Sequence, residues 1–261
     1  MISLINKYKN GLYTLMVLLT MYLLTLFLKI DVAILFLDLH FVGDLLKEMF
    51  PPNYSIIWEN NVVLNSIVQT ICMAYLGTLL GGIIGFGFSI IASNNIFNNK
   101  YISVFTKWLL SFIRVIPSLI IVLIFVIAVG PGPFAGVLTI IISTIGTLGK
   151  LFTESIENLD PTSAISLKAT GANKLQIFKF SIWPEFLPSF ISNLLYCFDI
   201  NMRTAVALGI FGGGGIGYKL FLAMRVLHYK DAIALIICII VLLLIIENLS
   251  NYLRHKILGN K

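Results

Sequence analysis

The chain has 261 residues, of which 58% are hydrophobic and 11% charged, with a formal charge of +6 at neutral pH and a mean hydropathy of +0.96. A soluble domain carries roughly 25% charged residues, so a water-soluble enzyme or binding module is excluded and an integral membrane protein is expected. The basic residues stand at the ends of apolar runs rather than in one patch, which fits membrane topology and not nucleic-acid binding. A bilayer core takes about 20 apolar residues per helix, so the chain has room for roughly five to seven spans in a single transmembrane domain, 1–261.

The predicted elements follow in chain order. Lys7 and Lys9 precede an apolar run from Leu12 to Leu28. Their order is that of a signal peptide, but the run is long and no A-x-A-like site follows, so it reads as an uncleaved anchor and first span, 12–30. Residues 31–61 alternate apolar and acidic side chains and carry Pro51-Pro52, which predicts an amphipathic stretch at the interface. The second span, 62–93, holds Gly77, Gly81, Gly82, Gly85 and Gly87. Small residues at spacings near four let helix backbones approach in lipid, either within the chain or against a second copy.

The third span, 107–129, contains Arg114 and is bent or restarted by Pro117; GPGP at 130–133 then turns into the fourth, 134–152. The fifth and sixth spans are read at 186–206 and 232–250. Six spans place both termini on one side. The segments on that side hold Lys7, Lys9, Lys100, Lys107, Arg114, Lys150, Lys168, Lys174, Lys179, Arg254, Lys256 and Lys261, and the opposite side Lys29, Lys47, Lys219, Arg225 and Lys230 with Arg203 near a helix end, roughly half as many, which predicts cytoplasmic termini. Cys72, Cys197 and Cys238 lie far apart in apolar stretches and read as small buried hydrophobes.

Residues 154–184 form a connection too long for a bland turn in a helix bundle. Asp160 or Thr162 caps a helix over 163–170, Gly171 closes it in a left-handed conformation, and a second helix starts near Ala172. Further on, GIFGGGGIGYK at 209–219 satisfies the dinucleotide fingerprint through Gly212, Gly214 and Gly217, but follows a span rather than the strand of a βαβ unit. Gly212, Gly213, Gly214, Gly215 and Gly217 instead predict irregular backbone lining a cavity or gate, with N–H groups able to face an anion. Asp199, Asn201 and Arg203, just before it, are candidates for the same pathway; Arg203 either attracts an anion or pairs with Asp199 one turn away. No Walker A sequence, H-E-x-x-H or G-x-S-x-G occurs, so no catalytic residue, metal site or cofactor is expected on this chain.

SLKATGANKLQIFKFSIWP resembles the EAA loop of ABC importer permeases, in which a glycine is followed some thirteen residues later by a proline opening the next span; Gly171 and Pro184 match. KATGANKLQ, RVIPSLIIVLIFVIAVGPGPFAGVL and INMRTAVALGIFGGGGIGYKL resemble, more narrowly, the phosphonate importer permease family, over most of residues 62–250. The resemblance implies an all-α integral membrane fold of six transmembrane helices in a MetI-like arrangement with a cytoplasmic coupling loop. It implies a pore-forming subunit of an ATP-driven importer for phosphonate or a related small phosphorus oxyanion in a bacterial cytoplasmic membrane. Its partners would be a second permease chain, identical or sister, two ATP-binding subunits carrying ATP and Mg²⁺, and an external substrate-binding protein. Lys168, Ala169, Thr170, Gly171, Ala172, Lys174, Leu175, Gln176 and Pro184 are the coupling residues it implies. The motif's glutamate and alanine fall at Ile165 and Ser166, so an acidic contact of the wider superfamily is missing. Permeases for phosphite, phosphate, methionine or quaternary amines carry related loops. A secondary transporter would need two repeated halves with paired broken helices, which the sequence does not display.

Overall fold

The computed structural model describes residues 2–29, 39–58, 61–97 and 99–258, all in helices, turns and short connections. They form two compact units, Met1–Pro51 and Pro52–Lys261. In the first, α1 (Ile2–Phe27) exposes Leu12, Leu15, Leu18 and Leu19, the pattern of a helix apolar all round. It is followed by α2 (Leu39–Met49), whose Lys47 pairs with Asp44 at 3.0 Å and which stops just before Pro51. Of the expected interfacial stretch, residues 31–38 and 59–60 lie outside the described residues.

The second unit comprises α3 (Ser55–Trp58), α4 (Val62–Ala92), α5 (Lys100–Val115), α6 (Ser118–Val129), α7 (Pro133–Glu157), α8 (Pro161–Ala169), α9 (Lys174–Ile177), α10 (Trp183–Leu208), α11 (Gly215–Arg225) and α12 (Tyr229–Leu258). Four described stretches are long and apolar enough to cross a bilayer: Val62–Ala92, Pro133–Glu157, Lys174–Gly213 and Tyr229–Lys256. The pair α5 and α6, bent by 81°, makes a fifth if it is one broken span. Gly11–Phe27 of α1 is a shorter apolar helix, so length and composition alone give four or five spans among the described residues rather than six.

The expected third span starts earlier than its apolar run, and the bend expected at Pro117 is a full break. It begins at Lys100, where Asn99 caps the helix by accepting from the N–H groups of Tyr101 and Ile102. It then breaks at Pro117, which has no N–H and restricts Ile116 to the extended conformation observed there. The expected fifth span is one end of a 40-residue helical stretch that begins inside the loop.

The parallel pair α4 and α7 forms the centre of this unit. Gly77 lies on Ile140, Gly81 on Thr144 and Gly85 on Gly149, one residue per turn along a single face of each helix. A Cβ on Gly81 would stand 2.6 Å from Thr144 Cβ and 2.8 Å from the Ile141 carbonyl oxygen, so only glycine permits this approach. In lipid such contact gains dispersion energy where no hydrophobic drive exists. These glycines therefore serve packing inside the chain, whereas a Cβ on Gly87 would meet nothing within 4 Å. Met73, Val122, Met202 and Leu208 fill the adjoining core. A second cluster gathers Phe152 and Phe186 with Phe86, Trp183 and Phe190, their rings 4.8 to 6.3 Å apart. Because α4 and α7 run parallel, both start beside the glycine-rich stretch and both finish beside the α7–α8 connection. The 31 residues of α4 separate these ends by about 46 Å at 1.5 Å per residue.

Candidate functional site

At the loop end, local sequence dictates two tightly terminated helices. Asp160 caps α8, accepting from the Thr162 N–H at 3.0 Å and the Thr162 hydroxyl at 2.7 Å. The hydroxyl bond, then the backbone bond, hold the Asp160 carboxyl below its ordinary range. α8 ends in a Schellman motif: the Ala172 N–H donates to Leu167 O at 3.2 Å, the Gly171 N–H donates to Lys168 O at 3.1 Å, and Gly171 has φ +84°. Asn173 and Gln176 then form a capping box at 2.9 and 2.8 Å that starts α9.

α9 does not stop where the loop was expected to. It passes through a π-helical turn, Phe178–Ile182, straight into α10. The wider turn absorbs the misfit created by Pro184, which lacks an N–H and sits in the first turn of α10. Lys168, Ala169, Thr170, Gly171, Lys174, Leu175 and Gln176 are all exposed and Ala172 is half-buried. Lys168 and Lys174 line a cleft of about 330 Å³ with Asp160, Ile165 and Glu185. Ile165 and Leu175 are 63% and 79% exposed, so the loop presents apolar side chains among lysines, Ile165 standing at the position expected for the motif's glutamate.

The loop stands on a fixed base. Glu157, the last residue of α7, accepts from the Asn94 N–H at 2.9 Å and from Lys107 Nζ at 2.7 Å, while Asn95 Nδ2 donates to Ile156 O at 3.2 Å. One carboxylate thus joins the ends of α4 and α7 to α5. In the sequence Glu157 shows only as an acidic residue upstream of the loop motif, with no sign of its partners, whereas the N-x-x-Q spacing from Asn173 to Gln176 is a readable signal for the cap.

The three candidates on α10 do not converge. Asn201 is buried and donates through Nδ2 to Thr78 Oγ1 and Thr144 Oγ1, each at 2.8 Å, joining α10 to α4 and α7. Asp199 and Arg203 share another face, since residues four apart align and residue 201 lies half a turn away. Arg203 Nη2 pairs with Asp199 at 3.2 Å and with Glu247 of α12 at 2.9 Å. Its guanidinium is thus held between two carboxylates in this conformation. Glu247 was missed, although it is the lone charged residue of the apolar run 232–250, itself a signal.

The glycine-rich stretch continues α10 through Gly209 and Ile210 and then kinks, leaving helical geometry at Phe211 (φ −96°, ψ 17°) and Gly212 (φ +91°, ψ 6°). Gly212, Gly214 and Gly215 have φ of +91°, +78° and +71°. The stretch folds under the α6–α7 turn: the Gly132 N–H donates to Gly212 O at 2.8 Å, and a Cβ on Gly214 would stand 2.7 Å from Pro133 N. The Ile216 N–H, in the first turn of α11, donates to the buried Thr70 hydroxyl at 2.9 Å. Gly212, Gly214 and Gly215 border a cavity of about 390 Å³ together with Asn65, Gln69, Tyr218 and Lys219. Gly214 and Gly215 are buried as well as bordering this cavity, while Gly213 and Gly217 are buried against Leu208 and Val206 and do not line it.

This unit is thus a bundle of long apolar helices with a capped polar loop at one end and a glycine-rich polar cavity at the other. Residues 77–259 match the family described as the binding-protein-dependent transport system inner membrane component, and the chain belongs to that family, the transmembrane permeases of ABC importers. HtxC of Stutzerimonas stutzeri, named for a phosphite transport system, is 34% identical over 214 residues, covering 82% of this chain and 75% of HtxC. The phosphate-import permease protein PhnE of Mycolicibacterium smegmatis is 30% identical over 230 residues, covering 88% of this chain and 43% of PhnE. Among solved structures, a chain of the MetNI methionine ABC transporter in an inward-facing conformation superposes with a TM-score of 0.68 at 14% identity, covering 78% of this chain and 98% of that one.

Proposed function

We propose that this chain is the pore-forming subunit of an importer for phosphonate or a closely related phosphorus oxyanion such as phosphite or phosphate. Its partners are a second permease chain, two ATP-binding subunits and an external binding protein, with ATP and Mg²⁺ held by the ATP-binding subunits. α1 supplies a sixth span to the four long helices and the broken α5–α6 pair, with both termini cytoplasmic, as the distribution of basic residues favours. The names of the relatives support the cargo class. The observation that carries the mechanical part is the pairing of a doubly capped loop, fastened through Glu157, with a polar cavity one helix length away.

In this reading the segment Pro161 to Gln176 seats on the ATP-binding subunit. Because α9 runs through the π turn into α10, a displacement of the loop is delivered along one helical run, from Lys174 to Leu208, to the glycine-rich stretch that follows it. The exposed Ile165 and Leu175 provide contact area, and Lys168 and Lys174 provide the charged rim. Asn201 holds α10 in register with α4 and α7, and the Asp199–Arg203–Glu247 cluster ties α10 to α12. Growth of a strain deleted for this chain on phosphonate, phosphite or phosphate as sole phosphorus source tests the assignment. Loss of growth on one or more of them, restored by the chain, is expected; full growth on all three contradicts it.

A further inference from the structure

The cavity beneath the α6–α7 turn is chemically one-sided. Lys219 contributes a cation, Asn65 and Gln69 contribute amides from successive turns of α4, and Tyr218 contributes a phenol, while no aspartate or glutamate lines it. None of these four side chains makes a hydrogen bond or ion pair with another described residue. Three other cations of this unit have carboxylate partners, Lys107 with Glu157, Lys150 with Glu154, and Arg203 with Asp199 and Glu247, whereas Lys219 has none among the described residues. The 11-residue helix α11 also opens onto the cavity through Gly214 and Gly215, adding the positive end of its dipole. About 390 Å³ accommodates a tetrahedral oxyanion with part of its hydration.

We propose that this cavity holds the anionic phosphorus group, with Lys219 as the charge partner and Asn65 and Gln69 as donors to its oxygens. The proposal rests on the importer reading above and adds to it a specific holding site at the end remote from the coupling loop. A free phosphate, phosphite or phosphonate and a phospholipid headgroup present the same chemistry to these groups. The test separates them.

In cells expressing the whole transporter, uptake of labelled methylphosphonate, phosphite and phosphate is compared for wild type, Lys219→Gln, Lys219→Arg and Asn65→Leu at equal membrane abundance. A charge-assisted hydrogen bond lost from the site raises the half-saturating concentration or lowers the rate about tenfold or more in Lys219→Gln. Lys219→Arg keeps most of the activity, and Asn65→Leu shows a smaller loss. Wild-type kinetics in Lys219→Gln, with the wild type transporting, overturns the site and leaves the importer reading standing. No uptake of any of the three ions by wild type overturns the importer reading and this site with it. Bound phosphatidylglycerol is measured on the purified complexes in parallel. A fall in bound lipid for Lys219→Gln with unchanged uptake assigns the cavity to a headgroup and overturns the transport role.

Discussion

Substitution at Gly171 separates the effect of backbone conformation from that of side-chain contact. Its φ is +84° and a Cβ built there meets nothing within 4 Å, so the intramolecular cost of a side chain comes from the left-handed conformation alone. That cost is about 1–2 kcal/mol for an ordinary L-residue, less for asparagine and greater for a β-branched residue. It corresponds to about a 5- to 30-fold loss in the ratio of formed to broken turn. Breaking the turn gives up both Schellman hydrogen bonds and frees α8 from α9. In proteoliposomes with the ATP-binding and substrate-binding partners, uptake should fall in the order Gly171, Asn, Ala, Val, with cargo-stimulated ATP hydrolysis losing its stimulation in the same order. Full transport by Gly171→Val at normal abundance would refute the coupling role. Equal damage from asparagine and valine would refute the conformational explanation.

Other changes probe the scaffold and the loop separately. Gly81→Val drives a side chain into Thr144 and a backbone oxygen and should destabilise the chain by about 1–3 kcal/mol, read as a lowered midpoint of thermal aggregation, whereas Gly87→Ala should be tolerated. Asn201→Leu removes two buried hydrogen bonds and should cost about 1–3 kcal/mol on the same readout; an unchanged midpoint would show that the node is dispensable. Ile165→Glu places a carboxylate where this loop offers an apolar surface and should weaken co-purification with the chain's own ATP-binding subunit. Asp160 has a depressed folded-state pKa, so its contribution to α8 is complete above the ordinary carboxylate value, near about 4, and is lost as pH falls through the depressed one. Protection of the Thr162 amide from hydrogen exchange should follow that window in wild type and lose its pH dependence in Asp160→Asn.

Features governed by nearest neighbours were legible in the sequence. The cap at Asp160, the left-handed stop at Gly171, the break at Pro117 and the crowding of glycines on α4 each follow from one or two residue types and their spacing. What the sequence hid was three-dimensional pairing. Nothing local assigns Thr78 and Thr144, 123 and 57 residues away, to Asn201, or Lys107 to Glu157 across 50 residues. The continuity of α9 with α10 was hidden for a different reason. Pro184 reads as a helix boundary, and only the π turn before it lets the helix carry on. Arg203 showed as an ionisable group at membrane depth, while its second partner needed α12 to be folded beside it.

The central claim is that this chain carries a phosphorus oxyanion in response to ATP hydrolysis on its partners. Uptake of labelled methylphosphonate, phosphite and phosphate into proteoliposomes containing the complete transporter, against labelled methionine, tests it most directly. ATP-dependent accumulation of at least one phosphorus oxyanion, with none of methionine, is the predicted result. Accumulation of methionine alone, or phosphorus uptake indifferent to ATP, would contradict it.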